Sequence, residues 1–347
     1  MNGMKTPRGA DLYPGIQAGC DTMPRRVILV HGDSDGVASG ALAYNFYKAR
    51  EEPVVFFTHP VGLLGDLREF TRNGDNIFIA DIALNEVHAE EVLRLLEERG
   101  RYGEVVYIDH HPEPLNTRLN DMDRVNVYHN TCCSASELTY IFLHERGLDP
   151  EYSRIALYGA IGDYLDETQW VKRTLTEWDK RSIYLEAGIL IQALEGTRRD
   201  YEFKRRIVEY LSRNSIPSSN PVIVERGLEQ AKRDEELRVW VKENIRVYRA
   251  IGYVVNPPGS IGKAANYARV YGGTRVGIAI EERGDTYVMS LRGDNTIDLN
   301  KVLRIMSREL PVMGGGHPFA AGARVKKEFF NEFLVRLDEA IKGFSQQ

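Results

Sequence analysis

Short apolar runs alternate with helix-period segments through the first half of the chain. The runs are rich in Val, Ile and Phe, a composition typical of buried strands. We predict strands at 27–30, 54–57, 77–80, 105–108 and 125–128. We predict helices at 37–50, 85–100, 134–146 and 151–161, the second capped by Asn85 and ended by Gly100. Because alternating strands and helices form parallel sheets covered on both faces, the pattern predicts an α/β, doubly wound fold.

The pattern changes in the second half. Residues 175–248 contain charged helical segments without strand-like runs, broken by a turn signal at 216–221, and predict a helical connector. The last hundred residues return to a mixed α/β pattern. We predict strands at 250–255, 274–281 and 286–291 (the last two as a hairpin), helices at 261–271, 299–309 and 328–342, and a glycine-rich loop at 314–318. The predicted organisation is a flexible leader (1–24), a catalytic domain (25–170), the connector (171–248) and a smaller mixed-sheet α/β domain (249–347).

Composition narrows the classes of protein. The 347 residues carry a net charge of −5, so a nucleic-acid partner has to bind in a local positive groove or be short. Cys20, Cys132 and Cys133 have the spacing of neither a disulfide framework nor a zinc site. No apolar stretch approaches the roughly 20 residues that span a bilayer, and the start lacks the apolar core of a signal peptide. We therefore predict a cytoplasmic protein without a membrane partner.

Acidic and histidine residues stand at or just after the ends of the predicted strands. These residues are His31, Asp33, Asp35, Asp81, Asp109, His110 and His111. Asp163 follows a predicted helix instead. If the strands are parallel neighbours, these side chains converge at one edge of the sheet. Carboxylates with a few imidazoles and no thiolates suit Mn²⁺ or Mg²⁺, and two such ions activate water and polarise a phosphoryl group. The pattern therefore favours phosphoester hydrolysis.

Each motif also has a simpler interpretation. Asp33 and Asp35 are favoured types at a helix N-cap, although a cap needs one acid rather than two acids and a histidine. Asp81 is compatible with a solvated strand terminus and Asp163 with an ordinary helix end. Asp109 either binds a metal or orients His110.

The glycine-rich segment is a candidate anion site. Gly314, Gly315 and Gly316 offer backbone amides to a phosphate or carboxylate oxygen, and His317 adds a hydrogen bond; a plain flexible loop is the alternative. Arg292 ends a predicted strand and is placed to meet this loop. The connector stretch 198–213 holds six Lys or Arg against three acids, and a solvated helix face is its default interpretation.

The acidic and histidine motifs resemble those of the DHH phosphoesterase superfamily, which is named for its Asp-His-His motif. The segment 314–317 resembles the signature of the DHH-associated C-terminal domain. The resemblance covers roughly 25–342 with the motifs in order, and within the superfamily the chain looks like the archaeal RecJ-like exonucleases. It implies an active site in a cleft between the two domains.

The resemblance also implies roles for single residues. Asp33 and Asp81, with His31, would hold one ion, and Asp35, Asp81, His110 and Asp163 the other. His111 would face the scissile phosphate, with Asp109 supporting the site. The residues that grip the substrate would be Asn266, Arg292, Gly314, Gly315, Gly316 and His317. The implied cofactors are two divalent ions, Mn²⁺ first, with Mg²⁺ or Co²⁺ as alternatives.

The expected function is an exonuclease of single-stranded DNA or RNA in repair or replication. A 3′→5′ polarity is favoured slightly, because no domain beyond the two-domain core is evident to grip a 5′ end. Two alternatives stay open: a hydrolase of small nucleotides (oligoribonucleotides, cyclic dinucleotides or 3′,5′-bisphosphate nucleotides), and a replisome-docking scaffold with residual activity. A helicase or replisome protein is a candidate partner, and homo-oligomerisation is left open.

Overall fold

The computed structural model of the protein describes residues 24–114, 117–197, 199–294 and 296–343. The predicted leader, apart from Pro24, lies outside the described residues. Within the described ranges, no helix is long and apolar enough to cross a membrane.

The first domain is built on a parallel five-stranded sheet, as predicted. Its strands are β1 (Arg26–Val30), β2 (Val54–Phe57), β3 (Asn76–Ala80), β4 (Val105–Asp109) and β5 (Asn126–His129). The order across the sheet is β2-β1-β3-β4-β5, and every pairing is parallel. The strands β1, β3 and β4 are adjacent, so their carboxyl ends meet at the centre of one sheet edge.

Helices cover both faces of this sheet. They are α1 (Ser34–Lys48), α2 (Leu63–Phe70), α3 (Ala89–Arg99), α4 (Ala135–His144) and α5 (Ser153–Gly162). Because side chains alternate along a strand, Ile28 and Val30 pack with α1, α4 and α5, whereas Val27 and Leu29 pack with α2 and α3. The doubly wound prediction is confirmed.

In this domain one helix was missed and one predicted helix cap was wrong. The helix α2 was not predicted, because only three of its residues, Leu63, Leu64 and Leu67, are buried and they mark one short turn. Asn85 does not cap α3, which begins at Ala89 with His88 before it. The Asn85 Oδ1 atom instead accepts from the Val87 N–H at 3.0 Å and forms a turn ahead of the helix.

The described part of the connector has four α-helices and ends in a short strand. The helices are α6 (Gln169–Thr174), α7 (Lys180–Thr197), α8 (Tyr201–Leu211) and α9 (Pro221–Asn244), and the strand is β6 (Arg246–Tyr248). The strand was not predicted; it is exposed and pairs with only one neighbour, so no apolar run marks it. Helices α7 and α8 pack into the core of the first domain through Ala187, Leu190, Ile207 and Val208.

Helix α9 joins the connector to the second domain. Its residues Leu237 and Val241 form an apolar cluster with Ala264, Ala265 and Ala268 of helix α10 (Ile261–Gly272). Ion pairs of Lys263 add to this packing.

The ammonium group of Lys263, in the first turn of α10, forms ion pairs with Glu195 of α7 and Asp234 of α9. The second domain is therefore anchored to rigid helices rather than to a loop.

The second domain is a mixed six-stranded sheet with three helices. Besides β6 and α10 it contains β7 (Ile251–Val255), β8 (Val276–Arg283), β9 (Thr286–Gly293), α11 (Leu299–Glu309), β10 (Val312–Gly316), β11 (Ala320–Lys326) and α12 (Phe330–Gly343). The order is β10-β11-β9-β8-β7-β6, with β7 and β8 parallel and the other pairs antiparallel. The predicted β8–β9 hairpin and the mixed-sheet class are confirmed.

The predicted glycine-rich loop is a strand. Gly314, Gly315 and Gly316 pair with Ala323, Gly322 and Ala321 in an antiparallel hairpin formed by β10 and β11, which we call the clamp hairpin. Three consecutive glycines have low strand propensity, so the local sequence does not predict a strand here. The strand forms because this segment pairs with β11.

Candidate metal centre and facing clamp

The ends of three adjacent strands bring the predicted acidic and histidine residues together. His31 follows β1, Asp81 follows β3, and Asp109 is the last residue of β4. Asp33 caps the N-terminus of α1, where its Oδ1 accepts from the Gly36 N–H at 3.1 Å. Asp33 therefore acts as the helix cap of the simpler interpretation and lies within the cluster as well.

Asp35 is fixed by a different helix. Its Oδ2 accepts from the Ala135 N–H at 2.7 Å and its Oδ1 from the Ser136 N–H at 2.9 Å, at the N-terminus of α4. The positive end of that helix stabilises the buried carboxylate and fixes its orientation. Asp35 thus links the first and fourth helices at the site.

The donor atoms fall into three overlapping groups. The first contains His31, Asp33 and Asp81, the second contains Asp35, His110 and Asp163, and the third contains Asp81, His110 and His111; within each group one ligand atom per residue lies within 4.8 Å of the others. In the first group, His31 Nδ1 is 2.6 Å from Asp33 Oδ2 and 3.7 Å from Asp81 Oδ2.

His110 connects the second group to the first. Its Nε2 is 3.3 Å from Asp81 Oδ1, 3.4 Å from Asp163 Oδ2 and 3.9 Å from Asp35 Oδ2. Among the described carboxylates, Asp81 contacts both the first group, through His31, and His110 of the second.

Asp81 shows that the cluster fits cations. Its side chain is buried, and its Oδ2 atom has no hydrogen-bond donor. Its backbone has a φ of 62°, an uncommon conformation that Asp tolerates better than most residues. A buried carboxylate oxygen without a donor is costly unless a cation meets it.

The pKa values of the cluster also indicate negative charge that no cation balances. Burial and the neighbouring carboxylates raise the pKa of Asp81 well above its usual range and that of Asp163 to about 8. Burial also raises the pKa of Asp35. The pKa of Asp33 is lowered, because the charge and hydrogen bond of His31 outweigh its desolvation. Oxygen-rich sites of this charge bind hard divalent cations.

Asp109 contacts His111 rather than His110. Its Oδ1 is 2.8 Å from His111 Nδ1, and its Oδ2 accepts from the His111 backbone N–H at 3.3 Å. The ring of His129 donates from Nε2 to the His111 carbonyl at 2.7 Å. Burial lowers the pKa of His111, but the hydrogen bond and charge of Asp109, with the charges of Asp163 and Asp33, together outweigh burial and give a net upward shift of the pKa. His129, to which the sequence assigned no role, helps to fix the backbone of His111.

The clamp hairpin of the second domain faces these histidines. The ring centroid of His317 lies 5.0 Å from that of His111 and 5.9 Å from that of His110. Gly316 has a φ of 143°, which favours glycine, and its N–H donates to Asn300 Oδ1 at 3.2 Å. Burial, with the two other imidazoles, lowers the pKa of His317 to about 4, so its ring is neutral at neutral pH.

The remaining predicted substrate residues, Arg292 and Asn266, belong to the second domain. Arg292 precedes the last residue of β9 and pairs with Ala320, and its Nη1 donates to Ser290 Oγ at 3.0 Å. The guanidinium of Arg292 approaches α10 closely at Gly262, where a Cβ atom would lie 2.7 Å from Nη2. Asn266 is exposed on α10, and its described side-chain hydrogen bond is to Arg269, not to the metal centre.

Lys204 is a buried cation at the site that the sequence analysis missed. Its Nζ donates to the Gly32 carbonyl at 2.5 Å, in the loop between His31 and Asp33. Burial lowers its pKa, while the charge of Asp33 opposes that shift. The signal was present in the helical spacing, because Lys204 shares the apolar face of α8 with the buried Val208 and Leu211.

Family models match both domains. Residues 25–162 match the DHH family, N-terminal domain, and residues 249–343 match the DHHA1 domain. No curated protein sequence matches the chain.

Solved structures share the fold. RecJ from Thermus thermophilus, in complex with Mn²⁺, has a TM-score of 0.67 at 17% identity and covers 91% of this chain and 51% of that chain. A pGpG-specific phosphodiesterase from Vibrio cholerae has a TM-score of 0.56 at 14% identity, covering 91% and 99%. CDC45 from Entamoeba histolytica has a TM-score of 0.56 at 10% identity, covering 92% and 95%. The chain spans about half the length of the Thermus RecJ.

Both family matches occur in the order of the two domains, and the grouped donors lie at the sheet edge that faces the second domain. Proteins of this class are metal-dependent phosphoester hydrolases. The chain belongs to the DHH phosphoesterase superfamily.

Neutralising Asp81 is expected to stabilise the metal-free protein. Asp81→Asn keeps the shape and tolerates the positive φ, but removes a buried charge without a donor, so the free energy of unfolding should rise by about 1–3 kcal/mol. The increase in melting temperature that Mn²⁺ gives to the wild type should largely disappear. Thermal unfolding in EDTA and in Mn²⁺ measures both effects.

The matched control is Asp338→Asn. Asp338 is equally buried but is paired with Arg249 and Lys342, so this variant should be less stable in both buffers. A lower melting temperature of Asp81→Asn in EDTA would contradict the uncompensated charge.

Asp163 should make the metal-free protein less stable at higher pH. Its folded pKa of about 8 lies above its ordinary value of 3.8, so the folded state binds the proton more tightly. Stability from this group is therefore present at low pH and lost as the pH rises through that window. In urea unfolding in EDTA from pH 5 to pH 8.5, the free energy of unfolding should fall more steeply with pH for the wild type than for Asp163→Asn. Parallel pH profiles of the two proteins would refute the raised pKa of Asp163.

Removing the charge of Lys204 should weaken metal binding. Lys204→Met deletes the bond that holds the Gly32 carbonyl, and loss of such supporting contacts typically costs 10–100-fold in metal affinity. We expect the Mn²⁺ concentration for half-maximal thermal stabilisation to rise about 10-fold. Arg206→Met, an exposed position on the same helix, is the control. An unchanged Mn²⁺ requirement for Lys204→Met would show that the lysine does not position the loop.

Proposed function

We propose that the protein is an archaeal RecJ-like exonuclease that hydrolyses terminal phosphodiesters of single-stranded DNA or RNA with two metal ions, Mn²⁺ most effectively. The observation that carries this proposal is the 5.0 Å approach of the His317 ring to the His111 ring. It brings the clamp hairpin directly over the metal centre. A cleft closed in this way accommodates the end of a thin single strand better than a duplex.

The donor groups indicate how the ions would be held. His31, Asp33 and Asp81 would hold one ion, and Asp35, His110 and Asp163 the other, with Asp81 shared. When bound, two such ions lower the pKa of a water and polarise the phosphoryl group for in-line displacement.

The residues of the chain position the substrate. Asp109 orients the His111 ring toward the cleft, where it meets a phosphoryl oxygen and stabilises the negative charge that develops there. His317, as a neutral ring, donates a hydrogen bond to a phosphate. Arg292 of the second domain adds a positive charge, which suits a phosphate backbone despite the net charge of −5.

A small-nucleotide hydrolase is the second candidate. The pGpG-specific phosphodiesterase has the same two-domain fold over 99% of its length, so a chain of this size is compatible with a dinucleotide substrate. Docking on a helicase or replisome protein is proposed as an additional property, because CDC45 shares the fold. A scaffold alone is disfavoured, since every donor position is filled.

Digestion of end-labelled strands tests the proposed function. With Mn²⁺, the wild type should shorten a single strand of about 20 nucleotides from one end, 3′→5′ by our proposal, and cleave it with a higher kcat/KM than a dinucleotide. His110→Ala should lose at least about 10³-fold in kcat/KM, because the second ion loses a ligand. His110 is a better choice than Asp35, which also holds the N-terminus of α4.

Arg206→Met serves as the folded, active control. Preference for the dinucleotide would favour the second candidate. Full activity of His110→Ala, or activity in EDTA, would overturn the two-metal proposal. Opposite polarity would correct only the direction of digestion.

A further inference from the structure

An exposed tyrosine stands at the rim of the metal centre. Tyr164 is 87% exposed and directly follows Asp163, whose Oδ2 lies 3.4 Å from His110 Nε2. In the part of the chain that the structure describes, the Tyr164 side chain makes no hydrogen bond and no ring contact. A large aromatic ring that contacts only solvent contributes little to folding.

The backbone of Tyr164 is also unusual. Its φ of 58° lies in the left-handed region, which bulky residues avoid. The position follows the end of α5, where Leu165 N–H donates to the Ala160 carbonyl at 2.9 Å and closes the helix. Glycine is the usual residue at such a position. The ring therefore stands at a place where folding alone favours glycine, and strained residues of this kind cluster at functional sites.

Tyr164 lies near the cleft between the domains. Its neighbour Asp163 contacts His110, and the His110 ring centroid is 5.9 Å from that of His317 in the clamp hairpin. Arg292 precedes the last residue of β9, the strand that pairs with β11 of this hairpin. Arg292 belongs to the second domain and Tyr164 to the first. On the clamp side, Phe319 is another partly exposed aromatic residue, and its carbonyl accepts from the Gly293 N–H beside Arg292.

We propose that Tyr164 is a stacking platform for the nucleobase next to the scissile phosphate. Every base offers an aromatic face, so stacking selects base-bearing substrates without reading their sequence. The location beside Asp163 puts the ring one residue away from the metal centre. This inference rests on the proposed nuclease function and gives it a substrate class: strands with bases rather than phosphate chains alone.

Three variants at Tyr164 separate stacking from other roles. Tyr164→Ala removes the ring and should raise KM about 5- to 150-fold on a single-stranded oligonucleotide, the range that corresponds to one lost base stack. Tyr164→Phe retains the ring and should restore KM to within about 2-fold. Tyr164→Gly removes the ring and suits the backbone, so its melting temperature should exceed that of the wild type while its KM matches that of Tyr164→Ala.

The decisive substrate is the same oligonucleotide with an abasic nucleotide at the digested end. Without a base to stack, wild type and Tyr164→Ala should have equal KM values. Tyr102→Ala, another exposed tyrosine that lies before β4 at the opposite edge of the sheet, should match the wild type on both substrates.

Several outcomes would overturn the stacking role. The first is an increase in KM for Tyr164→Phe as large as that for Tyr164→Ala, which would indicate a contact of the hydroxyl group. The second is an equal increase in the KM of Tyr164→Ala on abasic and normal strands. The third is a melting temperature of Tyr164→Gly below that of the wild type. All three leave the exonuclease proposal intact. If the wild type prefers dinucleotides, the exonuclease proposal fails, and a dinucleotide lacking its terminal base replaces the abasic strand in the same comparison. Binding of no base-bearing substrate by the wild type would overturn both.

Discussion

Repulsion among buried carboxylates is the constraint on which the rest of this structure depends. Asp33, Asp35, Asp81 and Asp163 lie within a few ångströms of one another in a region with few compensating cations. Like charges at such distances are tolerated only where fixed dipoles or bound cations offset them. The N-terminus of α4 offsets part of the charge at Asp35. Asp81 Oδ2 is buried without a hydrogen-bond donor, so the helix dipole does not offset all of the negative charge of the cluster.

The two domains divide the chemistry by charge. The first supplies negative donors that hold cations, and the second supplies neutral or positive groups, His317 and Arg292, that suit phosphates. The clamp hairpin brings groups of the two domains together, since the ring centroids of His317 and His111 are 5.0 Å apart. By the proposed function, a phosphate between them would meet cations on one side and hydrogen-bond donors on the other. Neither domain alone provides both.

Sequence reasoning predicted the strand-end residues because one rule governs them. Parallel strands end at one edge, so His31, Asp81 and Asp109 had to converge once the strand pattern was recognised. The same reasoning could not place Lys204, because its partner is the backbone carbonyl of Gly32, 172 positions away. The pairing of Gly314–Gly316 with β11 is equally non-local. The exposure and φ of Tyr164 arise from how α5 ends, which its apolar pattern does not encode.

The anchoring of the second domain has a geometric consequence. Helix α9 spans 24 residues, about 36 Å at 1.5 Å per residue, and packs against α7 on one side and α10 on the other. Lys263 ties these three helices together. The position of the second domain therefore depends on the packing of α9 as well as on direct contacts between the domains, such as the 2.9 Å ion pair of Arg304 with Glu86. One helical turn more or less in α9, about 5.4 Å, would shift the end of that helix by more than the rise of a stacked nucleotide, about 3.4 Å.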